Sequence, residues 1–197
     1  GGAVGSGGRE RAVVLGSEGA MVASETSEAM GAADVLVTML ADGPVVEEVI
    51  FDSGARAGLV PGSVLIDMSS IRPGLARDHA KRLKEMGVDY LDAPVSGGTS
   101  GAEQGTLAIM CGGDGTVVDR CRPVFDPLGK VTHVGPHGSG QLTKLCNQVI
   151  VATTIGAVAE ALLLAQAGGA IPEAMLEALQ GGFADSRILR EHGQRMV

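Results

Sequence analysis

The stretch Ser139–Ala167 constrains the fold more than any other part of the chain. It holds no proline, one glycine beyond its first turn (Gly156) and only two charges, Lys144 and Glu160. Such a run predicts one long helix, and its apolarity predicts burial nearly all round. Upstream the pattern differs. Short apolar runs at 35–40, 63–68, 88–91, 106–110 and 131–134 read as buried strands. Helices are expected at 44–50, 73–86 and 116–125, with Pro44 and Pro73 at first turns, where a missing N–H costs little, and Gly87 as a stop. Strands alternating with helices imply a mainly parallel sheet covered on both faces. The rhythm ends at Gly135. The expected fold is therefore α/β: a partial doubly wound, Rossmann-like domain over 1–136, then the first part of an all-helical domain over 137–197. Two shorter helices, 172–179 and 186–196, should complete the second part.

Composition narrows the function classes. Hydrophobic residues make up 45% of the 197, but aromatics only 2%, so the core must be aliphatic. The net charge of −8 and the lack of a long basic run argue against nucleic acid as a partner. No segment is expected to supply the ~20 apolar residues of a membrane span. Residues 1–8 lack a basic stretch leading into an apolar one, so they do not read as a signal peptide. Cys111, Cys121 and Cys146 show no Cys-x-x-Cys spacing, which suits a reduced, cytoplasmic setting. His133 and His137 are four apart, but Gly135 and Pro136 break any helix between them, and no metal site is expected.

A dinucleotide-binding domain should open with a strand followed by Gly-x-Gly-x-x-Gly at a helix start. Residues 1–8 are rich in glycine, but no strand is expected before them. Gly16-Ser17-Glu18-Gly19 has the wrong spacing and would set Glu18 against the pyrophosphate. Residues 19–23 read instead as a helix end leading into a short strand. The first β-α-β unit is accordingly expected to be missing.

Four segments carry chemistry: Asp67-Met68-Ser69-Ser70-Ile71, Asp92-Ala93-Pro94-Val95-Ser96-Gly97-Gly98, Gly105-Thr106-Leu107-Ala108-Ile109-Met110, and Gly138 to Gln148, which includes Gln141, Lys144 and Asn147. Ser96-Gly97-Gly98 could be a tight turn or a cradle in which backbone N–H groups and a hydroxyl hold a carboxylate. Lys144 could be a snorkelling surface lysine. Alternatively, with Gln141, Asn147 and Gln148 at helical spacing, it could line a polar cleft. In this order the four segments resemble the signature blocks of the β-hydroxyacid dehydrogenases of the 3-hydroxyisobutyrate dehydrogenase and tartronate semialdehyde reductase type. The resemblance runs over about residues 19–196.

The resemblance implies an oxidoreductase that interconverts a small β-hydroxy acid and its semialdehyde with NAD or NADP. It makes Lys144 the general acid/base, which requires burial to lower its pKa. Ser96, Gly97 and Gly98 would hold the substrate carboxylate, and Asn147 would orient the substrate. Leu40, Ala41 and Ser70 would lie along the cofactor; relatives commonly have Pro at the Ala41 position and Thr at the Ser70 position. Gln148, where many 3-hydroxyisobutyrate enzymes have a second Asn, leans toward tartronate semialdehyde (2-hydroxy-3-oxopropionate). Two alternatives keep the same fold. Imine-reducing relatives generally replace the catalytic lysine, and non-enzymatic interaction modules also lose it and carry basic segments. The resemblance further implies residues before and after this chain, a homo-oligomer for the complete enzyme, and little activity for these residues alone.

Overall fold

A computed structural model describes residues 3–4, 9–23, 28, 33–52 and 59–197. The contacts divide the chain into two compact units, residues 1–144 and 145–197.

The first unit is built on a six-stranded sheet. Strands β3 (Val35–Thr38), β4 (Val64–Asp67) and β5 (Asp89–Asp92) pair in parallel. β4 is buried along its whole length, as a continuous apolar run inside a two-sided sheet should be. Its pleat sends Leu65 into one core, with Leu36, Val46, Ile50 and Leu83. Val64 and Ile66 go to the other, with Leu91, Ile109, Val118 and Phe125. The first core is closed by α2 (Gly43–Glu47), which runs on into a π-helical turn (Glu48–Asp52), and by α3 (Pro73–Glu85). α3 buries Ala76, His79, Ala80 and Leu83, a single helical stripe. It stops where Gly87 takes a positive φ of 73°.

The sheet is mainly parallel, as expected, with a short antiparallel join midway. After β5 the chain forms a two-residue strand, β6 (Val95–Ser96), and a single short helix, α4 (Gly98–Glu103), before β7 (Leu107–Gly112). β7 returns antiparallel to both β5 and β6. Helices α5 (Gly115–Arg120) and α6 (Arg122–Phe125) then lead to β8 (Gly129–Gly135), which pairs with β7 in parallel. The helix expected over 116–125 is thus two pieces, broken at Cys121.

Residues 3–22 hold a diminutive β-α-β of their own. β1 (Ala3–Val4) pairs in parallel with β2 (Met21–Val22), and α1 (Arg9–Ser17) lies between them. This two-stranded sheet is separate from the main one, in which β3 is the first strand. Ala3–Val4 falls within the glycine-rich start, before Gly5, where no strand was expected. Residues 5–8, weighed above as a phosphate loop, lie outside the described residues.

The long helix, α7, spans Ser139–Ala167 as expected. The expectation of burial all round is not met. Leu142 is 56% exposed, Ile150 65% and Leu164 76%. By length and composition α7 is also apolar enough to cross a membrane, contrary to the expectation that no segment would be. In the second unit only a stripe of it, Val158 and Leu162, packs against Leu176 of α8 (Pro172–Leu179) and Leu189 of α9 (Arg187–Glu191). Ser186 caps α9 by accepting the Leu189 N–H at 3.0 Å.

Candidate active site

The site grows from the carboxyl ends of the parallel strands, where open α/β sheets bind ligands. β4 and β5 end in register on Asp67 and Asp92, both fully buried. Buried carboxylates need partners, and each has several. Asp67 accepts the Thr38 hydroxyl at 2.9 Å, the Ser69 amide at 3.0 Å and the Tyr90 hydroxyl at 3.3 Å. The Tyr90 phenol is held well above its ordinary range by burial and by Asp67 and Asp92. Asp92 accepts the backbone N–H groups of Gly138 at 2.8 Å and Gln141 at 3.0 Å. Burial raises its pKa, and the two amides only partly oppose that.

These bonds dock the first turn of α7 onto the sheet. Gly138 reaches Asp92 with a positive φ of 86°. Gly140 is pressed so closely that an added Cβ would lie 2.2 Å from the Asp92 carbonyl oxygen. The Gln141 side chain, 1% exposed, donates to Ser69 O at 2.8 Å and accepts the Ile71 N–H at 3.0 Å. Gln141 is therefore a tether in the interior, where a cleft-lining role was weighed. Ordering this turn fixes Lys144, whose Nζ donates to the Val95 carbonyl at 2.7 Å. Desolvation lowers the Lys144 pKa below 10.5.

Val95 precedes Ser96, so the ammonium stands beside the Ser96-Gly97-Gly98 turn. Gly97 has φ 138°, and a Cβ there would crowd Leu107 at 3.1 Å. Gly98 has φ 64°, is exposed, and has open space where a Cβ would lie. The Gly105 block opens on a turn, where Gly105 has φ 63° and a Cβ would meet Pro127 O at 2.7 Å, and continues as strand β7.

Leu40, Ala41 and Ser70 lie together at the same carboxyl edge. Leu40 N–H donates to the Ser69 hydroxyl at 2.9 Å, while Ala41 and Ser70 are exposed. Of the paired serines, Ser69 holds the turn and Ser70 keeps its hydroxyl at the surface. Exposed backbone and a hydroxyl at this edge fit the flank of a dinucleotide. Asn147 belongs to the second unit, half-buried, with its Nδ2 donating to Gln148 Oε1 at 2.8 Å. His133 Nε2 lies 2.9 Å from Gly113 O, and His137 Nε2 lies 3.0 Å from Tyr90 O. Each ring thus serves a different backbone carbonyl.

Residues 7–135 match the family model for the NAD binding domain of 6-phosphogluconate dehydrogenase. Residues 138–197 match the model for the NAD-binding of NADP-dependent 3-hydroxyisobutyrate dehydrogenase. The chain belongs to the β-hydroxyacid dehydrogenase family. Members are NAD(P)-dependent dehydrogenases and reductases, and the Rossmann-like sheet followed by helices is their fold. The 2-hydroxy-3-oxopropionate reductase of Escherichia coli is 48% identical over 183 residues, 92% of this chain and 63% of the relative. Mycobacterium tuberculosis 3-hydroxyisobutyrate dehydrogenase, solved with L-serine, superposes with a TM-score of 0.86 at 34% identity, covering 95% of this chain and 64% of that one. The 3-hydroxyisobutyrate dehydrogenase of Salmonella typhimurium gives 0.86 at 29% identity, covering 98% and 68%. The chain thus spans under two thirds of the length of the first two.

Of the two residues that organise the site, Asp92 was legible only as a member of its block, and Gln141 only as a candidate for lining a cleft. The available signal was a carboxylate inside the apolar run Tyr90-Leu91-Asp92. A charge there must find buried partners.

Proposed function

We propose that this protein interconverts a small β-hydroxy acid and its semialdehyde, with tartronate semialdehyde (2-hydroxy-3-oxopropionate) the favoured substrate and 3-hydroxyisobutyrate next. The observation that carries this is Lys144, a partly desolvated ammonium held 2.7 Å from Val95 O, beside the Ser96-Gly97-Gly98 turn, in which Gly98 is open to solvent. The 48% identity to a 2-hydroxy-3-oxopropionate reductase supports the substrate. Retention of Lys144 favours this reading over an imine-reducing or non-enzymatic relative.

In the reductive direction the substrate carboxylate is held by the backbone amides of Gly97 and Gly98 and the Ser96 hydroxyl. Lys144 gives a proton from Nζ to the aldehyde oxygen as that oxygen gains negative charge, and it takes the proton back in oxidation. Its lowered pKa makes it a stronger acid than an exposed lysine. Leu40, Ala41 and Ser70 line the cofactor edge. Bound NAD or NADP supplies the hydride, or accepts it in the reverse direction. Asn147 is assigned a hydrogen bond to substrate from the resemblance. The functional division is proposed as 1–136 for cofactor and 137–197 for the helical part, in a cytoplasmic homo-oligomer with no membrane or nucleic-acid partner.

The test is reduction of tartronate semialdehyde by the complete enzyme with NADH and with NADPH, beside glyceraldehyde, which lacks the carboxylate. The carboxylate-bearing substrate should be turned over with a kcat/KM at least ~100-fold higher. Equal use of both aldehydes would overturn the cradle, and cofactor binding with no turnover of any semialdehyde would overturn the activity.

A further inference from the structure

Lys144 can act only if its turn is held still, and the groups that hold it form one connected set. Asp92 is the last residue of β5. Its carboxylate receives Gly138 N–H on one oxygen and Gln141 N–H on the other. The Gln141 amide spans the gap to β4's end, bonding Ser69 O and Ile71 N. The start of α7 is thus fastened to the ends of two neighbouring strands. The same Asp92 begins the segment that carries Val95 and Ser96, and Ala93 N–H donates to Asp67 O at 2.8 Å. Lys144 follows Gln141 by three residues; Val95 follows Asp92 by three. The lysine and the turn it meets therefore hang from the same two buried side chains. The packing is built for this contact. A Cβ at Gly112 would lie 2.7 Å from Asp92 Oδ1, and one at Gly140 2.9 Å from Asp92 Oδ2.

We propose that Asp92 and Gln141 are positioning residues that set the Lys144 ammonium against the Ser96 turn, through the four hydrogen bonds that lock the first turn of α7. The proposal rests on the reading of Lys144 as the proton donor. Neither side chain need touch substrate. Loosening either tether lets the helix start move by a fraction of an ångström, and Lys144 Nζ, at the end of a long side chain, moves with it into a wetter position. Misplacement of about 1 Å is enough to cost ~100-fold in rate.

The test reads Lys144 without needing turnover. The chain has four lysines, and Lys81, Lys84 and Lys130 are exposed. Trace acetylation with acetic anhydride as a function of pH, read by mass spectrometry, gives a titration midpoint for each. In the wild type Lys144 should titrate below the other three. In Gln141→Met, which keeps the volume but loses both side-chain bonds, its midpoint should rise toward theirs. Asp92→Asn, which can accept only one of the two amides, should do the same. Val118→Ala opens a cavity in the sheet's second core; it should lower the melting temperature yet leave the Lys144 midpoint in place. Turnover should fall ~10- to 100-fold in the first two variants with KM changed less. If Asp92→Asn does not fold, Gln141→Met decides. The proposal is overturned if wild-type Lys144 already titrates with the other lysines, if its midpoint stays put in folded Gln141→Met, or if Val118→Ala moves it equally. Near-normal turnover in Lys144→Ala would instead sink the preceding reading and leave the titration result standing.

Discussion

Gly140→Ala separates local helix propensity from the docking of α7. In an isolated helix, alanine is favoured over glycine by about 1 kcal/mol, so propensity alone predicts a more stable protein. The structure predicts the reverse. The new Cβ would lie 2.2 Å from Asp92 O, 2.4 Å from Met110 O and 2.9 Å from Asp92 Oδ2. The first two are backbone atoms in the sheet, which cannot swing aside. Restoring an ordinary C···O contact of about 3.3 Å requires the helix start to retreat by about 1 Å. That stretches the Gly138 and Gln141 amide bonds to a buried carboxylate, each costing about 1–3 kcal/mol when left unmade. Partial relaxation should leave a net loss of about 3 kcal/mol after the propensity gain. With a urea m-value of about 2 kcal/mol/M, the unfolding midpoint should fall by about 1.5 M. Gly156→Ala, in the same helix with open space at its Cα, should raise stability by about 0.5–1 kcal/mol. Urea titrations followed by circular dichroism measure both. A Gly140→Ala midpoint equal to or above wild type would refute the docking argument.

Two further outcomes follow from titrating groups. Because Lys144 is lowered from 10.5 by desolvation and must be protonated to act as the acid, reductive kcat should fall as pH rises through a midpoint below 10.5. Oxidative kcat should rise over the same range, and pH profiles in both directions check the pair. His79 is fully buried with neither ring nitrogen hydrogen-bonded among the described residues, and burial holds its pKa below 6.5 against the opposing pull of Asp67 and Glu47. The unfolded chain therefore takes up this proton first, so the fold loses stability as pH falls from about 6.5 toward the lowered value. His79→Leu should remove that loss and cost under about 1 kcal/mol at pH 7, since it also removes two unpaired polar atoms; thermal melts from pH 5 to 7.5 report it.

Much of this architecture is legible in the residues. α7 could be bounded at both ends because nothing in it breaks a helix and Gly168-Gly169 follow it. β4 was legible because four consecutive buried positions demand an apolar run. β6 was not, since two residues carry no periodicity, and its existence depends on pairing with Ile109 and Ala108. The antiparallel join of β7 to β5 and β6 rests on pairings between strands, which strand-by-strand reading does not show. Lys144 and the Ser96 turn stood out as chemistry, but the reason they meet did not. Asp92 and Gln141 are 49 residues apart, and only the folded register shows that one receives the other. Ser69 and Ser70 are neighbours of identical chemistry; the turn after β4 decides which is buried.

The central claim is that Lys144 carries the proton. Steady-state reduction of tartronate semialdehyde by the complete enzyme carrying Lys144→Ala tests it most directly. The expected result is a kcat lowered ~100-fold or more with substrate binding changed less. A kcat near that of the wild type would contradict the account and remove Lys144 from the chemistry.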